Sequence, residues 1–288
     1  MEKFILDTDM GPDCDDAGAL AVLHNLNANI LGITHCTSDI EGSITIKAIN
    51  EWFGRTDIMI GRYEKDGFLC GDEYKSYVHK ISEEYLKNHK LPYFYDAVSL
   101  LRTILSRETG VTLLAIGPLN NISNLLLSKA DSISDKTGAE LVKESVKRIV
   151  IMGGNFRTFA PEFNIECDIP AAQIVSRTSP VPIMYCGFET GENVLTGNSL
   201  EEADVNYPVR DAYLGFNHGQ SFLRPSWDLV TVYAAVCNPC LLWKIVDDVK
   251  IDFDDEGCTM IEKGGKDSYI CNNAEDDVIS KCLENLIK

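Results

Sequence analysis

"FILDTDMGPDCDDAGALAVL", residues 4–23, places five aspartates between a short apolar run and a longer one. The first apolar run is a candidate β-strand, and the second has the period of a helix. In open parallel sheets, ligands bind beyond the carboxyl ends of the strands, which is where Asp7 and Asp9 would lie. The stretch therefore predicts an α/β fold with a functional site at the end of its first strand.

Short β-branched runs alternate with segments of helical period along most of the chain. Continuous apolar strands that alternate with helices are typical of a parallel sheet covered on both faces. From residue 245 to 272 the pattern changes, with turn signals at 255–257 and 264–265, which predicts a small C-terminal antiparallel appendage before a last helix. We therefore predict a single α/β domain over residues 1–288, with a mainly parallel central sheet flanked by helices. The candidate strands are FILDT (4–8), ILGITHC (30–36), DIMIG (57–61), VTLLAIG (111–117), RIVIMGG (148–154) and VPIMYCG (181–187), and the candidate helices begin at residues 15, 43, 95, 120 and 168.

The formal charge of -18, from 44 acidic and 26 basic residues, opposes binding to nucleic acid or to an anionic membrane surface. A small neutral or cationic ligand fits this charge better. The first apolar run stops at Leu6, too early for a signal peptide, and no later segment approaches about 18 apolar residues, so we expect a cytoplasmic protein. The ten cysteines are expected to be reduced, mostly buried thiols.

Asp15 and Asp16 begin the first predicted helix, where the helix dipole favours negative charge by only ~0.3–1 kcal/mol each. Carboxylates a few ångströms apart and shielded from water repel each other more strongly than that. Either one of them is protonated or a cation lies between them, and oxygen ligands suit Ca²⁺ or Mg²⁺. The alternative is a set of helix caps and a solvated acidic turn, and for Asp13 both interpretations stay open.

Two other acidic motifs compete for this stretch. An EF-hand loop counted from Asp7 would place Pro12 where glycine is required. Phosphatases of the haloacid dehalogenase type also begin with an apolar strand and D-x-D, but they usually carry Thr or Val where this chain has Gly11. A Mg²⁺ phosphohydrolase of that type, acting on phosphate esters, is the alternative enzyme class.

Four segments together resemble the nucleoside hydrolases, the inosine-uridine-preferring hydrolase family. They are "ILDTDMGPDCDDAGAL" (5–20), "LLAIGPLNNI" (113–122), "IVIMGGNFRTFAPEFNIECDIPAAQIV" (149–175) and "SWDLVTVYAAV" (226–236). Their order and approximate spacing agree with the family, and the resemblance extends from residue 4 to about 240. It implies Ca²⁺-dependent hydrolysis of the N-glycosidic bond of ribonucleosides by a homodimer or homotetramer. A non-catalytic nucleoside-binding protein that retains the pocket is a third possibility.

The resemblance also implies roles for individual residues. The side chains of Asp9, Asp16 and Asp228 and the main-chain carbonyl of Ile116 would bind Ca²⁺. The sugar would be held by Asp15, Glu162 and Asn164, with Asn155 on the same loop. By residue chemistry alone, Glu162 and Asn164 could equally be ordinary polar residues of a loop.

The reaction implied by the resemblance suits these residue types. An N-glycosidic bond breaks through an oxocarbenium-like sugar, so an activated water is needed on one face and a stabilised base on the other. Ca²⁺ can hold the ribose hydroxyls and lower the pKa of a water while a carboxylate takes its proton. We expect Asp9 to be that base, and we interpret Asp7 as a supporting carboxylate.

The chain differs from many family members at the residue before the last metal aspartate, where Trp227 replaces a histidine proposed as the acid for the departing base. The spacing between the two aspartate pairs is also one residue longer. Trp227 could belong to the core, or it could stack on a flat base. The chain resembles the purine-specific branch here, which has a tryptophan at this place and an acidic residue near the end of the second strand, where Asp39 could contact the base. We therefore predict a purine preference, with His218 as a possible acid or merely a solvated loop residue.

Overall fold

A sheet of ten strands runs through the part of the chain that the computed structural model describes, residues 2–288. The strands are β1 (Lys3–Thr8), β2 (Asn29–His35), β3 (Met59–Arg62), β4 (Tyr95–Asp96), β5 (Val111–Ala115), β6 (Val146–Met152), β7 (Ile183–Cys186), β8 (Leu195–Thr196), β9 (Arg224–Pro225), β10 (Trp243–Phe253), β11 (Thr259–Lys263) and β12 (Asp267–Asn272). Strands β8 and β9 form a separate antiparallel pair.

The α-helices lie between these strands in chain order. They are α1 (Asp15–Asn25), α2 (Ile40–Trp52), α3 (Val78–Asn88), α4 (Ala97–Leu105), α5 (Asn120–Leu127), α6 (Gly138–Ser145), α7 (Phe163–Cys167), α8 (Ile169–Thr178), α9 (Pro208–Phe216), α10 (Trp227–Val236) and α11 (Asp276–Glu284). Within residues 2–288, every helix is too short or too polar to serve as a membrane span.

The strand order of the main sheet is β11-β10-β12-β7-β6-β5-β1-β2-β3-β4. From β12 to β4 all neighbours are parallel, and β10 is antiparallel to β11 and β12. The mainly parallel α/β fold is confirmed, as are all six predicted strands. The predicted antiparallel strands also form. Because β12 pairs with β7, these strands extend the main sheet and do not form a separate sheet.

Strand β1 shows how the sheet divides the core. Phe4 and Leu6 pack into one hydrophobic cluster, and Ile5 packs into another on the opposite face, because successive side chains of a strand point to opposite sides. Helices α1, α2, α9, α10 and α11 cover the first face, and α4, α5, α6 and α8 cover the second. This two-sided burial is the reason that the strands are continuous apolar runs.

Helix α1 is enclosed on all sides, with every residue from Asp15 to His24 buried. It packs against α10 and α9. Gly18 lies at the closest approach, since a Cβ atom there would be 2.3 Å from the Tyr213 hydroxyl and 2.9 Å from Cδ1 of Leu229. The position of Asp15 and Asp16 at the start of α1 therefore depends on a close helix contact that only glycine permits.

The cysteines differ from the prediction in one respect. All ten are free thiols, but only Cys14, Cys36 and Cys186 are buried, and Cys240 of the CNPC segment is exposed. The expectation that most would be buried was wrong, because several lie in the C-terminal strands and loops, at the rim of the sheet.

We expect Gly18→Ala to lower the free energy of unfolding by about 1–3 kcal/mol, because the added methyl group would overpack the contact with α9 and α10. Urea unfolding followed by circular dichroism would measure this. Adding Tyr213→Phe removes the nearest atom and should recover part of the loss. Helix propensity alone favours alanine by ~1 kcal/mol, so a stabilised Gly18→Ala variant would contradict the packing argument.

Candidate functional site

A cavity of about 350 Å³ opens beyond the carboxyl ends of β1, β5 and β6. This is the edge at which parallel sheets bind ligands, and the volume suits a small molecule. One part of its wall is acidic, formed by Asp9, Asp13, Asp15, Asp16, Glu162 and Asp228. The other part is aromatic, formed by Phe163, Phe188, Phe216 and Trp227.

Three carboxylates converge in the acidic part. One oxygen each of Asp15, Asp16 and Asp228 lies within 4.8 Å of the others. Asp15 and Asp16 are the first residues of α1, and Asp228 lies in the first turn of α10, so two helix starts meet here. The backbone N–H of Asp228 donates to Oδ2 of Asp15 at 3.1 Å, and the Thr8 hydroxyl donates to Asp16.

Burial raises the pKa values of Asp9, Asp15, Asp16 and Asp228 well above the usual range of a carboxyl group, and the negative charges of neighbouring carboxylates raise them further. Such a set is stable only if protons or a cation balance it. Its donors are all oxygen atoms, which is the ligand chemistry of a hard divalent cation. The residues present therefore fit such an ion.

Asp9 lies on the loop after β1 and lines the same cavity, but it is not one of the three converging carboxylates. This loop turns at Gly11, whose φ of 147° is a backbone conformation that side chains rarely allow. The carbonyl of Ile116, at the end of β5, accepts a hydrogen bond from Nδ2 of Asn164 at 3.3 Å. Ile116 and Asn164, two of the predicted site residues, therefore lie next to each other and line the same cavity as Asp9.

Glu162 caps α7 and also lines the cavity. Its carboxylate accepts hydrogen bonds from the backbone N–H groups of Asn164 at 3.1 Å and Gly154 at 3.3 Å. Burial raises its pKa to about 7 in spite of these bonds. The structure thus brings Glu162 and Asn164 to the acidic wall.

Trp227 is half-buried at the first position of α10, directly beside Asp228. Its indole N–H donates to the carbonyl of Phe188 at 2.8 Å, and the two ring centroids are 5.4 Å apart. The residue packs against the hydrophobic core and also lines the cavity. Trp227 therefore belongs partly to the core, and its stacking on a base stays a prediction.

Arg224 and Asp13 form an ion pair at the cavity that the sequence analysis missed. Nε of Arg224 donates to Oδ1 of Asp13 at 2.9 Å, and Nη2 donates to Oδ2. The helix-cap interpretation of Asp13 was wrong, because Cys14 is the residue that precedes α1 and its side chain makes no cap hydrogen bond. No local signal in the sequence links two residues that lie 211 positions apart.

Three predicted site residues do not line the cavity. Asp39 caps α2 by accepting from the Glu41 backbone N–H at 3.1 Å, and it lies 3.7 Å from Nζ of Lys75. Asn155 accepts hydrogen bonds from the N–H groups two and three residues after it. His218 is exposed after the end of α9, with a φ of 53°. Local hydrogen bonds thus engage Asp39 and Asn155 outside the cavity wall, and the roles predicted for these three residues stay predictions.

Asp7, at the end of β1, does not line the cavity although Asp9 does. Its Oδ1 accepts hydrogen bonds from the Thr34 hydroxyl of β2 and from Nδ2 of Asn121. Burial raises its pKa to about 7. Asp7 therefore joins β1 to its neighbours behind the cavity, which agrees with its interpretation as a supporting carboxylate.

A family model described as inosine-uridine preferring nucleoside hydrolase matches residues 4–278. The non-specific ribonucleoside hydrolase RihC of Salmonella newport is 29% identical over 234 residues, which is 75% of this chain and 71% of that protein.

Solved structures share the fold at lower identity. An inosine-uridine preferring nucleoside hydrolase from Bacillus anthracis matches 100% of this chain and 99% of its own, with a TM-score of 0.77 and 18% identity. A purine-preferring ribonucleoside hydrolase from Gardnerella vaginalis matches the same shares, with a TM-score of 0.70 and 18% identity. At this identity the similarity shows a common fold.

Because the buried carboxylates fit a divalent cation, we expect added Ca²⁺ to raise the melting temperature of the chelator-treated protein by about 5–10 °C at about 100 times the dissociation constant. Asp16→Ala should remove most of this shift, since it removes one of the converging carboxylates. Differential scanning calorimetry in EDTA and in excess Ca²⁺ would measure it. Asp57→Asn, at an exposed carboxylate outside the cavity, is the matched control and should keep the full shift. An equal shift in the Asp16 variant would contradict the assignment.

Proposed function

This chain belongs to the inosine-uridine preferring nucleoside hydrolase family, and from this premise we propose that it is a Ca²⁺-dependent ribonucleoside hydrolase that prefers purine nucleosides. The family reaction is hydrolysis of the N-glycosyl bond of a ribonucleoside. The observation that carries the proposal is a single cavity in which converging buried carboxylates meet an aromatic wall. The acidic part suits a polyhydroxylated sugar and its cation, and the aromatic part suits a flat base.

We assign the cation to the side chains of Asp9, Asp16 and Asp228 and the carbonyl of Ile116. Asp16 and Asp228 belong to the converging set, while Asp9 and Ile116 line the same cavity. When bound, Ca²⁺ would supply the positive charge that balances the carboxylates, orients the ribose hydroxyls and acidifies the attacking water. Asp15 is the other converging carboxylate, and we assign it to a ribose hydroxyl.

Asp9 is our general base. It lies on the loop directly after β1 and lines the cavity. From this position its ionised carboxylate can accept the proton of a water in the cavity. Glu162 and Asn164, fixed by the hydrogen bonds at the start of α7, would hold the sugar while Asp9 accepts that proton.

The departing base would stack on Trp227. Stacking and withdrawal from water favour a neutral, protonated leaving group, and solvent can provide the proton to a purine imidazole nitrogen. His218 lies on the loop after α9 and away from the cavity wall, so we do not assign the proton to it. The Salmonella relative is a non-specific hydrolase, and the purine preference proposed here rests on Trp227.

Release of reducing sugar from inosine tests the function directly. A haloacid dehalogenase-type phosphohydrolase would release phosphate from esters instead, and a non-catalytic binding protein would release neither product. Family membership supports the first outcome, and a preparation that hydrolyses only phosphate esters would overturn the proposal.

We expect Asp9→Asn to lower kcat by about 10²–10⁴-fold while inosine still binds. The amide nitrogen cannot accept a proton from water, whereas the amide oxygen can still face the cation. Steady-state kinetics together with calorimetric binding of inosine would separate the two effects. A rise in KM with an unchanged kcat would show that Asp9 binds substrate and is not the base.

We expect inosine to be hydrolysed faster than uridine, and Trp227→Ala to slow inosine more than uridine. A bicyclic purine offers more stacking area, and stacking is worth ~1–3 kcal/mol per base, or about 5- to 150-fold in rate. The ratio of kcat/KM values for the two substrates in both enzymes is the measurement. Equal slowing of both would assign Trp227 to core packing alone and would leave the cation and sugar assignments unchanged.

The resemblance to the family also predicts a homodimer or homotetramer. Light scattering of the purified protein would determine the number of subunits.

A further inference from the structure

Within the described residues 2–288, Arg224 is the one cationic side chain that lines the cavity. Its guanidinium carbon lies 4.7 Å from the centre of the Phe216 ring and 5.3 Å from that of Trp227. Strand β9, to which it belongs, pairs with β8 through Thr196 and Arg224. Both its backbone and its side chain are therefore held in place beside the ring on which the proposed function stacks the base.

The ion pair with Asp13 uses one edge of the guanidinium. The hydrogen bonds of Arg224 come from Nε and Nη2, and all of them go to the Asp13 carboxylate. An arginine carries five N–H donors in a planar fork. With the Nε–Nη2 edge engaged, the Nη1–Nη2 edge still has parallel N–H groups for a second planar partner.

We propose that Arg224, oriented by Asp13, recognises the base and selects 6-oxopurine nucleosides over 6-aminopurine nucleosides. This rests on the proposed function and adds a substrate class to it. A 6-oxopurine presents two acceptors, O6 and N7, on one edge, and arginine binds that pair in a bidentate manner. A 6-aminopurine presents N7 and an amino donor, so one N–H of the guanidinium would face another donor.

The other polar groups near the aromatic wall do not supply this recognition. The indole N–H of Trp227 is already bonded to the Phe188 carbonyl. Asp39 is engaged at the start of α2 and lies outside the cavity. The departing base gains negative charge as the N-glycosyl bond breaks. The positive charge of Arg224 would stabilise this negative charge.

The test compares inosine and adenosine, which differ in the group at C6. We expect wild-type kcat/KM to favour inosine, and Arg224→Met to lower that preference by about 5- to 150-fold through loss of inosine hydrolysis, with adenosine changed much less. Arg55→Met is the matched control, because Arg55 makes the same two-point contact with Asp57 on an exposed loop. The control should keep the wild-type ratio.

Asp13 acts as a positioning residue, so its effect should pass through Arg224. As a single substitution, Asp13→Asn should lower the ratio of kcat/KM for inosine to kcat/KM for adenosine. In the Arg224→Met background it should not change this ratio further. If Arg224→Met does not fold, Arg224→Lys keeps the charge without the planar fork and should also lose the preference.

Wild-type hydrolysis of adenosine as fast as inosine, or an equal loss of both in Arg224→Met, would overturn this inference while leaving the proposed function intact. Failure to hydrolyse any nucleoside would overturn the proposed function instead. In that case calorimetric binding of the free bases hypoxanthine and adenine decides the inference. Tighter hypoxanthine binding that requires Arg224 supports it, and equal binding overturns it.

Discussion

Burial of like-charged carboxylates at the start of α1 is the constraint on which the rest of the structure depends. Asp9, Asp15, Asp16 and Asp228 lie out of water, and their pKa values are raised by that burial and by one another. Isolated charges in such a place would destabilise the fold. Helix α1 is nevertheless enclosed between the sheet and α10, with glycine at the closest contact. The packing of α1 thus holds together a set of carboxylates whose negative charge must be balanced by protons or by a cation.

The acidic part and the aromatic part of the cavity wall meet at the start of α10. Asp228 and Trp227 are neighbours in the first turn of α10, so one peptide bond links the acidic part of the wall to the aromatic part. A sugar held by the carboxylates and a base held by the ring would then have a defined distance and direction between them. Such pre-set positions of reacting groups contribute to catalysis through orientation.

Local hydrogen bonds hold two of the predicted site residues outside the cavity wall. Asn155 and Asp39 each accept hydrogen bonds from backbone N–H groups two or three residues away, and side chains of this type compete for local backbone donors. His218 follows the last turn of α9 with a positive φ. A resemblance transfers the position of a residue along the chain, but the direction of its side chain depends on these local bonds. Glu162 follows the same rule, yet its bonds at the start of α7 leave it at the cavity wall.

The sequence by itself determined the alternation of strands and helices, the six parallel strands, and the acidic loop after β1, because these follow from the periodicity of adjacent residues and from where a buried strand must end. It also located most of the acidic wall through its resemblance to a family. Only the tertiary structure decided that Asp13 would meet Arg224, 211 residues away, that Asp15 would accept from the backbone of Asp228, and that β12 would continue the main sheet beside β7. Contacts of this kind depend on the path of the whole chain, and no local pattern of residue types records which distant partner a charged side chain or an open strand edge will find.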